Sequence, residues 1–207
     1  MNETDAEELR MSKKQKTALI VLSMVLACLI LTSLIVFWIL PQVMRSQFQL
    51  KYADLIQKYS EEYALEPSFV AGVIYAESKF HEEAVSRAGA RGLMQIMPAT
   101  GQEIAEALEV PFHVEDLFDP ETSIRFGCYY LRAQLDRFDQ NTAVALAAYN
   151  AGPNKAAEWL REYGLDSRGR IAYIPYEETK NYVNRVLQAQ ENYKNLYPQE
   201  LAKKTEE

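Results

Sequence analysis

Glu77 is the residue whose type and setting point most directly to acid–base chemistry. It completes an apolar series of Val70, Val73 and Ile74 at the i, i+3, i+4 and i+7 spacing of one helix face. A carboxyl group on a buried face loses hydration, which raises its pKa because the charged form is disfavoured. The sequence therefore predicts a glutamic acid that stays protonated near neutral pH and can act as a general acid.

Glu77 and Gln95 each have a purely structural interpretation as well. Glu77 can pair with Arg87 or Arg91, or it can lie at the edge of the apolar stripe and reach water. Gln95 interrupts the apolar run 92–97, and a buried amide must hydrogen-bond either to the backbone or to a ligand. The helix and the apolar run alone leave these choices open.

Further polar residues stand at predicted helix ends. Tyr149 and Asn150 close an apolar helix just before Gly152 and Pro153, although an ordinary C-terminal stop explains the same pattern. Glu178 lies in the first turn of another predicted helix, where the helix dipole alone favours an acid. Neither pattern assigns a function by itself.

The elements that position these residues are predicted to be almost entirely helical. Apolar spacing and helix-start signals such as Asp119-Pro120 predict helices over about 43–63, from Pro67 through Glu77, and over 120–138, 142–149, 154–163 and 176–197. The run 92–97 is the only strand-like segment, so any sheet is small. Polar residues 198–207 are predicted to form a frayed tail.

Composition and charge restrict the class of protein. A length of 207 residues allows one domain of about 150 residues plus an accessory segment. Lys and Arg number 22 against 29 Asp and Glu, and no basic stripe alternates with aromatic residues, so a nucleic-acid partner is not expected. Two histidines and two cysteines do not make a typical zinc site. Cys128 is interpreted as a small buried apolar residue.

The N-terminal part carries a predicted transmembrane helix. Residues 18–40 are 23 residues without a charge, enough to span a hydrocarbon core of roughly 30 Å. Pro41 is predicted to end this helix, with a linker over 41–50. Basic residues precede the apolar run, so the positive-inside rule places 1–17 in the cytoplasm and the chain after Pro41 on the extracytoplasmic side of the membrane. These basic residues are Arg10, Lys13, Lys14 and Lys16.

Two other interpretations of the apolar run fit less well. A cleaved signal peptide requires a shorter apolar region of about 7–15 residues. Residues 25–28 loosely resemble a lipoprotein processing site that would acylate Cys28, but the apolar run continues twelve residues past that cysteine. Cys28 is therefore predicted to be a plain residue of a membrane helix, unable to pair with Cys128.

Several short motifs occur in order along the chain, and together they resemble one family. Between about Leu50 and Val186 the chain resembles the catalytic domain of the soluble lytic transglycosylases, relatives of goose-type lysozyme. This resemblance implies a lysozyme-like fold over 51–197, mostly α (α+β) with a small β element. The matching segments are Ala76-Glu77-Ser78, Ser86, Gly92-Leu93-Met94-Gln95-Ile96-Met97-Pro98, Ala148-Tyr149-Asn150-Ala151-Gly152-Pro153 and Ile174-Pro175-Tyr176-Glu177-Glu178-Thr179.

The same resemblance implies an activity and a site. Such enzymes cleave the MurNAc-β-1,4-GlcNAc bond of peptidoglycan and leave a 1,6-anhydromuramoyl product, with neither metal nor organic cofactor. By resemblance Glu77 is the single catalytic acid, and Glu178 lies near the reacting sugar. The expected partners are peptidoglycan glycan strands and the membrane. The residues implied to line the sugar groove are Ser86, Gln95, Met97, Tyr149 and Asn150.

Three alternatives to this activity remain. The chain can be a hydrolytic muramidase in which water replaces the sugar hydroxyl, activated by Glu178 or another acid. It can be a glycan-binding or scaffold domain, which would have little reason to retain Glu77. It can also be a membrane partner protein whose apolar helix stripes are only core, although the ordered motifs argue against that.

Overall fold

A computed structural model describes residues 13–202 of the chain, which divides into two compact units at Gln47 and Phe48. The described part of the N-terminal unit is one continuous helix, Lys13–Gln47, made of α1 (Lys13–Leu34), a π-helical turn (Ile35–Ile39) and α2 (Leu40–Gln47). Its apolar side chains are exposed, and by length and composition it can cross a membrane. Residues 1–12, and with them most of the predicted cytoplasmic segment, lie outside the described range.

Pro41 lies inside the helix, where the sequence predicted its end. Proline cannot donate a backbone hydrogen bond to the carbonyl four residues earlier, which belongs to Phe37. The helix widens into the π turn just before this point, and the backbone N–H of Leu40 bonds to the oxygen of Ile35. Helical structure therefore continues through Gln47, across most of the segment that was predicted to be a linker.

The C-terminal unit is mostly helical, which confirms the predicted fold class. A proline occupies the first turn of four of its helices, where the missing N–H costs nothing. The helix that begins at Pro98 was not among the helices predicted from the sequence. The helices are α3 (Ala53–Glu62), α4 (Pro67–Ser78), α5 (Pro98–Ala107), a 3-10 turn (Val114–Phe118), α6 (Pro120–Arg137), α7 (Thr142–Ala151), α8 (Pro153–Tyr163) and α9 (Glu177–Leu196).

The β element consists of isolated bridges. Two of them join Arg91 to Val85 and to Ile96. The run 92–97 is not a strand, because Gly92 and Gln95 have φ angles of +76° and +48°, in the left-handed region that an extended chain avoids. The backbone N–H of Gln95 bonds to the oxygen of Gly92 at 3.3 Å and closes a turn instead.

Helix α4 crosses α9 at very short range in the core. A Cβ atom added at Gly72 would meet the backbone nitrogen of Gln190 at 2.9 Å and the oxygen of Val186 at 3.0 Å. Glycine is needed here because it allows the two backbones to touch. The first eight residues of α4 are all buried, as is Cys128 on α6, which agrees with its interpretation as an apolar core residue.

The C-terminal tail is ordered further than its polar sequence suggests. Leu201 is buried, and the side chain of Gln57 on α3 donates to the backbone oxygens of Glu200 at 2.7 Å and Ala202 at 3.2 Å. The predicted frayed tail therefore packs on the domain as far as Ala202. Residues 203–207 lie outside the described range.

Candidate active site

Glu77 lies in the last turn of α4, at one wall of an open groove. The chain leaves the helix through Lys79 and Phe80, both in the left-handed region with φ angles of 51° and 63°. Glu77 itself is half-buried, between the core and the groove. The groove has a volume of about 690 Å³, and its lining includes Ser86 and Gln95 as well as Glu77.

The surroundings of Glu77 favour its protonated form. Burial raises the pKa of the carboxyl group from 4.5 to about 7, and the negative charge of Glu178 contributes in the same direction. The Tyr182 hydroxyl and the Arg185 guanidinium act against this rise but do not cancel it. The predicted protonation of Glu77 near neutral pH therefore has a physical basis in the fold.

The purely structural role of Glu77 as an ion-pair partner is not observed. Arg91 pairs with Glu115 on the 3-10 turn. Within residues 13–202, no lysine or arginine side chain comes within ion-pair distance of Glu77. The carboxyl group is consequently available for a proton donor's role.

Tyr182, on α9, places an uncharged hydroxyl group next to the Glu77 carboxyl group. Its side chain is 1% exposed, and burial together with the charge of Glu77 raises the pKa of its hydroxyl well above 10. The hydroxyl lies near enough to lower the pKa of Glu77 as a donor, but it forms no hydrogen bond of good geometry in the described part of the chain. Such contacts commonly close only when substrate is bound.

Three side chains from three helices hold the turn that carries Gln95. Ser78 on α4 donates to the oxygen of Leu93 at 2.8 Å, and Tyr149 on α7 donates to the oxygen of Met94 at 2.9 Å. Ser123 on α6 accepts from the nitrogen of Met94 at 3.2 Å. Because each of these bonds is to the main chain, the position of the turn depends little on its own side chains.

Gln95 presents its carbonyl oxygen as a free acceptor at the groove. The amide nitrogen donates to the backbone oxygens of Ala84 at 3.0 Å and Gly92 at 2.9 Å, so the orientation of the amide is fixed. Among the described residues none donates to its Oε1 atom. A fixed amide acceptor suits an N–H group such as that of an acetamido sugar.

Ser86 and Met97 border the same region. The Ser86 hydroxyl accepts from the backbone nitrogen of Ala90 at 3.0 Å and keeps its own hydrogen for another acceptor. Met97 is 41% exposed, two residues after Gln95 and directly before α5. An exposed methionine offers a flexible apolar surface.

Tyr149 and Asn150 serve structural contacts in the unliganded domain. Tyr149 is 9% exposed, and its hydroxyl is used in the bond to Met94. Asn150 accepts from the Thr179 hydroxyl at 2.8 Å, which links the end of α7 to α9 beside the exposed Glu178. The amide nitrogen of Asn150 donates to no side chain or backbone oxygen in residues 13–202.

The structure brings Glu77, Ser86 and Gln95 into one groove. Glu178 and Tyr149 lie close enough to interact electrostatically with Glu77. Met97 lies two residues after Gln95, and Asn150 directly follows Tyr149. The groove volume itself is not lined by Met97, Tyr149, Asn150 or Glu178. In residues 13–202, no cluster of three metal-ligating side chains occurs.

Sequence reasoning missed Tyr182 and Arg185. Both follow Glu178 on α9 at the i+4 and i+7 positions, so that one helix face carries all three residues. Helical spacing puts them on the same face as Glu178, but it does not show that this face meets Glu77. Arg185 also lies over the ring of Tyr182, with its guanidinium carbon 5.9 Å from the ring centre.

Comparison with known proteins places the domain among the lytic transglycosylases. The chain is 34% identical over 148 residues to the soluble lytic murein transglycosylase of Escherichia coli K12, covering 70% of this chain and 23% of that protein. It is 29% identical over 170 residues to membrane-bound lytic murein transglycosylase C of Pectobacterium atrosepticum, covering 70% and 47%. The match to the soluble relative thus spans about a quarter of that protein's length.

Solved structures give the same result. The 70-kDa soluble lytic transglycosylase of Escherichia coli superposes with a TM-score of 0.69 at 33% identity, covering 73% of this chain and 25% of that one. An inactive mutant of the lytic transglycosylase Slt from Pseudomonas aeruginosa gives a TM-score of 0.66 at 31% identity, with the same coverage. The family model of the transglycosylase SLT domain matches residues 54–169, more than half of the chain. The chain therefore belongs to the transglycosylase SLT domain family.

Proposed function

We propose that this chain is a membrane-anchored lytic transglycosylase that cleaves the MurNAc-β-1,4-GlcNAc bond of peptidoglycan. The observation that carries the proposal is Glu77, a carboxyl group with a pKa raised to about 7 by burial, at the wall of an open groove. The relatives from Escherichia coli and Pectobacterium atrosepticum are both named lytic murein transglycosylases, which agrees with this substrate.

The proposed reaction uses Glu77 twice. It first donates its proton to the glycosidic oxygen, whose bond to C1 breaks while the N-acetyl carbonyl of the muramic acid assists departure of the leaving group. The C6 hydroxyl of the same sugar then attacks C1 and returns its proton to the Glu77 carboxylate. Because the attacking group belongs to the substrate, its effective concentration is high and no water is consumed. The product is a 1,6-anhydro sugar.

One carboxyl group is sufficient for this route, whereas ordinary glycosidases use two. The nearby Glu178 is exposed, and its charge supports protonation of Glu77. We assign it a place beside the reacting sugar. The remaining proposed substrate contacts are Ser86, Gln95, Met97, Tyr149 and Asn150.

The helix Lys13–Gln47 is the proposed anchor. Two hydroxyl groups in its apolar part donate within the helix, that of Ser23 to the oxygen of Ile20 at 2.8 Å and that of Thr32 to the oxygen of Cys28 at 2.9 Å. The lysines at its start favour an N-terminus in the cytoplasm and a catalytic domain outside it. A membrane-bound relative fits such an arrangement.

The test is mass spectrometry of the products released from purified peptidoglycan by the full chain in detergent. We expect anhydro-muropeptides, lighter by one water than hydrated ones, and their loss in Glu77→Gln. Glu61→Gln, a change of the same chemistry at an exposed position on α3, serves as the control and should keep full activity.

Other products lead to other assignments. Hydrated muropeptides would identify a muramidase and direct attention to Glu178 as the base that activates water. An active Glu77→Gln variant would overturn the role of Glu77. Binding of glycan without any cleavage would leave only the glycan-binding function.

A further inference from the structure

An aromatic cluster surrounds the end of the helix that carries Glu77. The ring of Phe48 lies 4.7 Å from that of Tyr75 and 6.0 Å from that of Tyr193, measured between centroids. The ring of Phe80 lies 5.8 Å from that of Tyr193, which is fully buried. Tyr75 precedes Glu77 by two residues and Phe80 follows it by three, so the cluster contacts the chain on both sides of Glu77. We call residues 77–80 the catalytic turn.

Two hydrogen bonds attach the chain segment around Phe48 to residues beside the end of α4. The hydroxyl of Tyr193 donates to the backbone oxygen of Gln49 at 3.1 Å, and the hydroxyl of Tyr52 donates to the carboxylate of Glu82 just beyond the turn. We call residues 48–52 the strap. It directly follows Gln47, the last residue of α2, and directly precedes α3.

The turn after Glu77 depends on support from outside itself. Lys79 and Phe80 are consecutive non-glycine residues in the left-handed region, a conformation that residues with a Cβ atom rarely adopt. Such a conformation persists only where surrounding packing imposes it. At this turn the ring of Phe80 packs on that of Tyr193. The ring of Phe48, in the strap, packs on the same tyrosine.

We propose that the strap is a positioning element for the catalytic turn and that Phe48 is its positioning residue. This inference rests on the proposed role of Glu77. Phe48 fixes Tyr75 and Tyr193, and these two residues fix the end of α4 on which the Glu77 carboxyl group stands. The segment that leads out of the apolar helix is thereby part of the catalytic architecture and not a passive tether.

The first test compares the kinetics of Phe48→Ala with Leu135→Ala, a loss of buried apolar volume in the last full turn of α6. In Phe48→Ala we expect kcat to fall about 10- to 100-fold while KM changes little, because small displacements of a catalytic group cost this much. Phe48→Tyr should restore the rate. Leu135→Ala should retain kcat at temperatures where both variants are folded.

The pH profile separates positioning from a general loss of folded protein. Loosening of the turn admits water to Glu77, so its pKa falls and the alkaline limb of kcat/KM moves to lower pH only in Phe48→Ala. The other groups near Glu77 are unchanged in both variants. They are Tyr182, Arg185 and Glu178 on α9, Tyr149 on α7, and Lys79, His81 and Glu83 along the groove.

Hydrogen exchange of the full chain in detergent tests whether the strap stabilises the end of α4, and this test does not depend on enzyme activity. We expect the amides of residues 75–80 to exchange about tenfold faster in Phe48→Ala and not in Leu135→Ala. Unchanged exchange, or equal kinetic effects in both variants, would overturn the positioning role. A wild-type chain that releases no product would instead contradict the proposed function, and the exchange experiment would still decide the strap.

Discussion

The hydroxyl of Tyr149 donates a hydrogen bond of 2.9 Å to the backbone oxygen of Met94, 55 residues earlier in the chain. This bond joins α7 to the turn that presents Gln95 at the groove beside Glu77. The family resemblance assigned Tyr149 to the sugar groove, and that assignment stays a prediction. In the unliganded domain its hydroxyl supports the turn, so the residue affects the groove through Gln95.

The change Tyr149→Phe should weaken both the domain and the groove. It leaves the buried oxygen of Met94 without its donor, which costs about 1–3 kcal/mol of the free energy of unfolding. We also expect a higher KM for glycan, because Gln95 loses its fixed position. Urea unfolding and product release measure the two effects.

Tyr130→Phe is the matched control for this change. The ring of Tyr130 lies 5.3 Å from that of Tyr149, but its hydroxyl forms no hydrogen bond to any residue that the structure describes. Its removal should change the free energy of unfolding by less than about 0.5 kcal/mol. Equal losses in both variants would mean that the bond to Met94 does not support the turn.

The raised pKa of Glu77 predicts how stability depends on pH. The folded state binds the proton more tightly than the unfolded chain, because the pKa is about 7 in the fold against 4.5. Protonation of Glu77 therefore makes its full contribution to the free energy of unfolding below pH 4.5. This contribution is lost as the pH rises from 4.5 through about 7. The loss amounts to at most about 3 kcal/mol.

The variant Glu77→Gln removes this titration. Relative to the wild-type chain it should gain stability as the pH increases from 4 to 8, although it abolishes activity. Urea unfolding at several pH values measures the difference between the two proteins. A difference that does not vary with pH would show that the Glu77 carboxyl group has an ordinary pKa.

The position of Glu77 could be predicted from sequence because its signals are local. The apolar spacing of α4 and the proline at its start suffice to put Glu77 on the helix face toward the core. The turn around Gln95 could not be predicted in this way. An apolar hexapeptide is compatible with a strand, and it becomes a turn only because Ser78, Ser123 and Tyr149 bond to its backbone.

The partners of Glu77 on α9 illustrate the same limit. Which face of α9 approaches Glu77 is set by the crossing with α4, and this crossing depends on a missing side chain at Gly72. A single glycine in an apolar helix carries no directional signal in the sequence. Tyr182 could therefore be recognised as a neighbour of Glu77 only once both helices were in place.

The last prediction concerns this crossing. Gly72→Ala introduces a Cβ atom that meets backbone atoms of Gln190 and Val186 at 2.9 and 3.0 Å, and backbone cannot rotate away. Helices α4 and α9 must separate, which costs about 1–3 kcal/mol of the free energy of unfolding. Tyr182 and Arg185 then move relative to Glu77, so kcat should fall more than stability alone explains.

Gly101→Ala provides the comparison for Gly72→Ala. Its added Cβ atom meets the far end of the Phe112 ring at 2.7 Å, and this half-buried side chain, which follows α5 in the chain, can shift. Thermal unfolding should show a smaller decrease for this variant, with the pH profile of activity unchanged. If Gly72→Ala also kept the wild-type pH profile, the close contact of α4 with α9 would not govern the environment of Glu77.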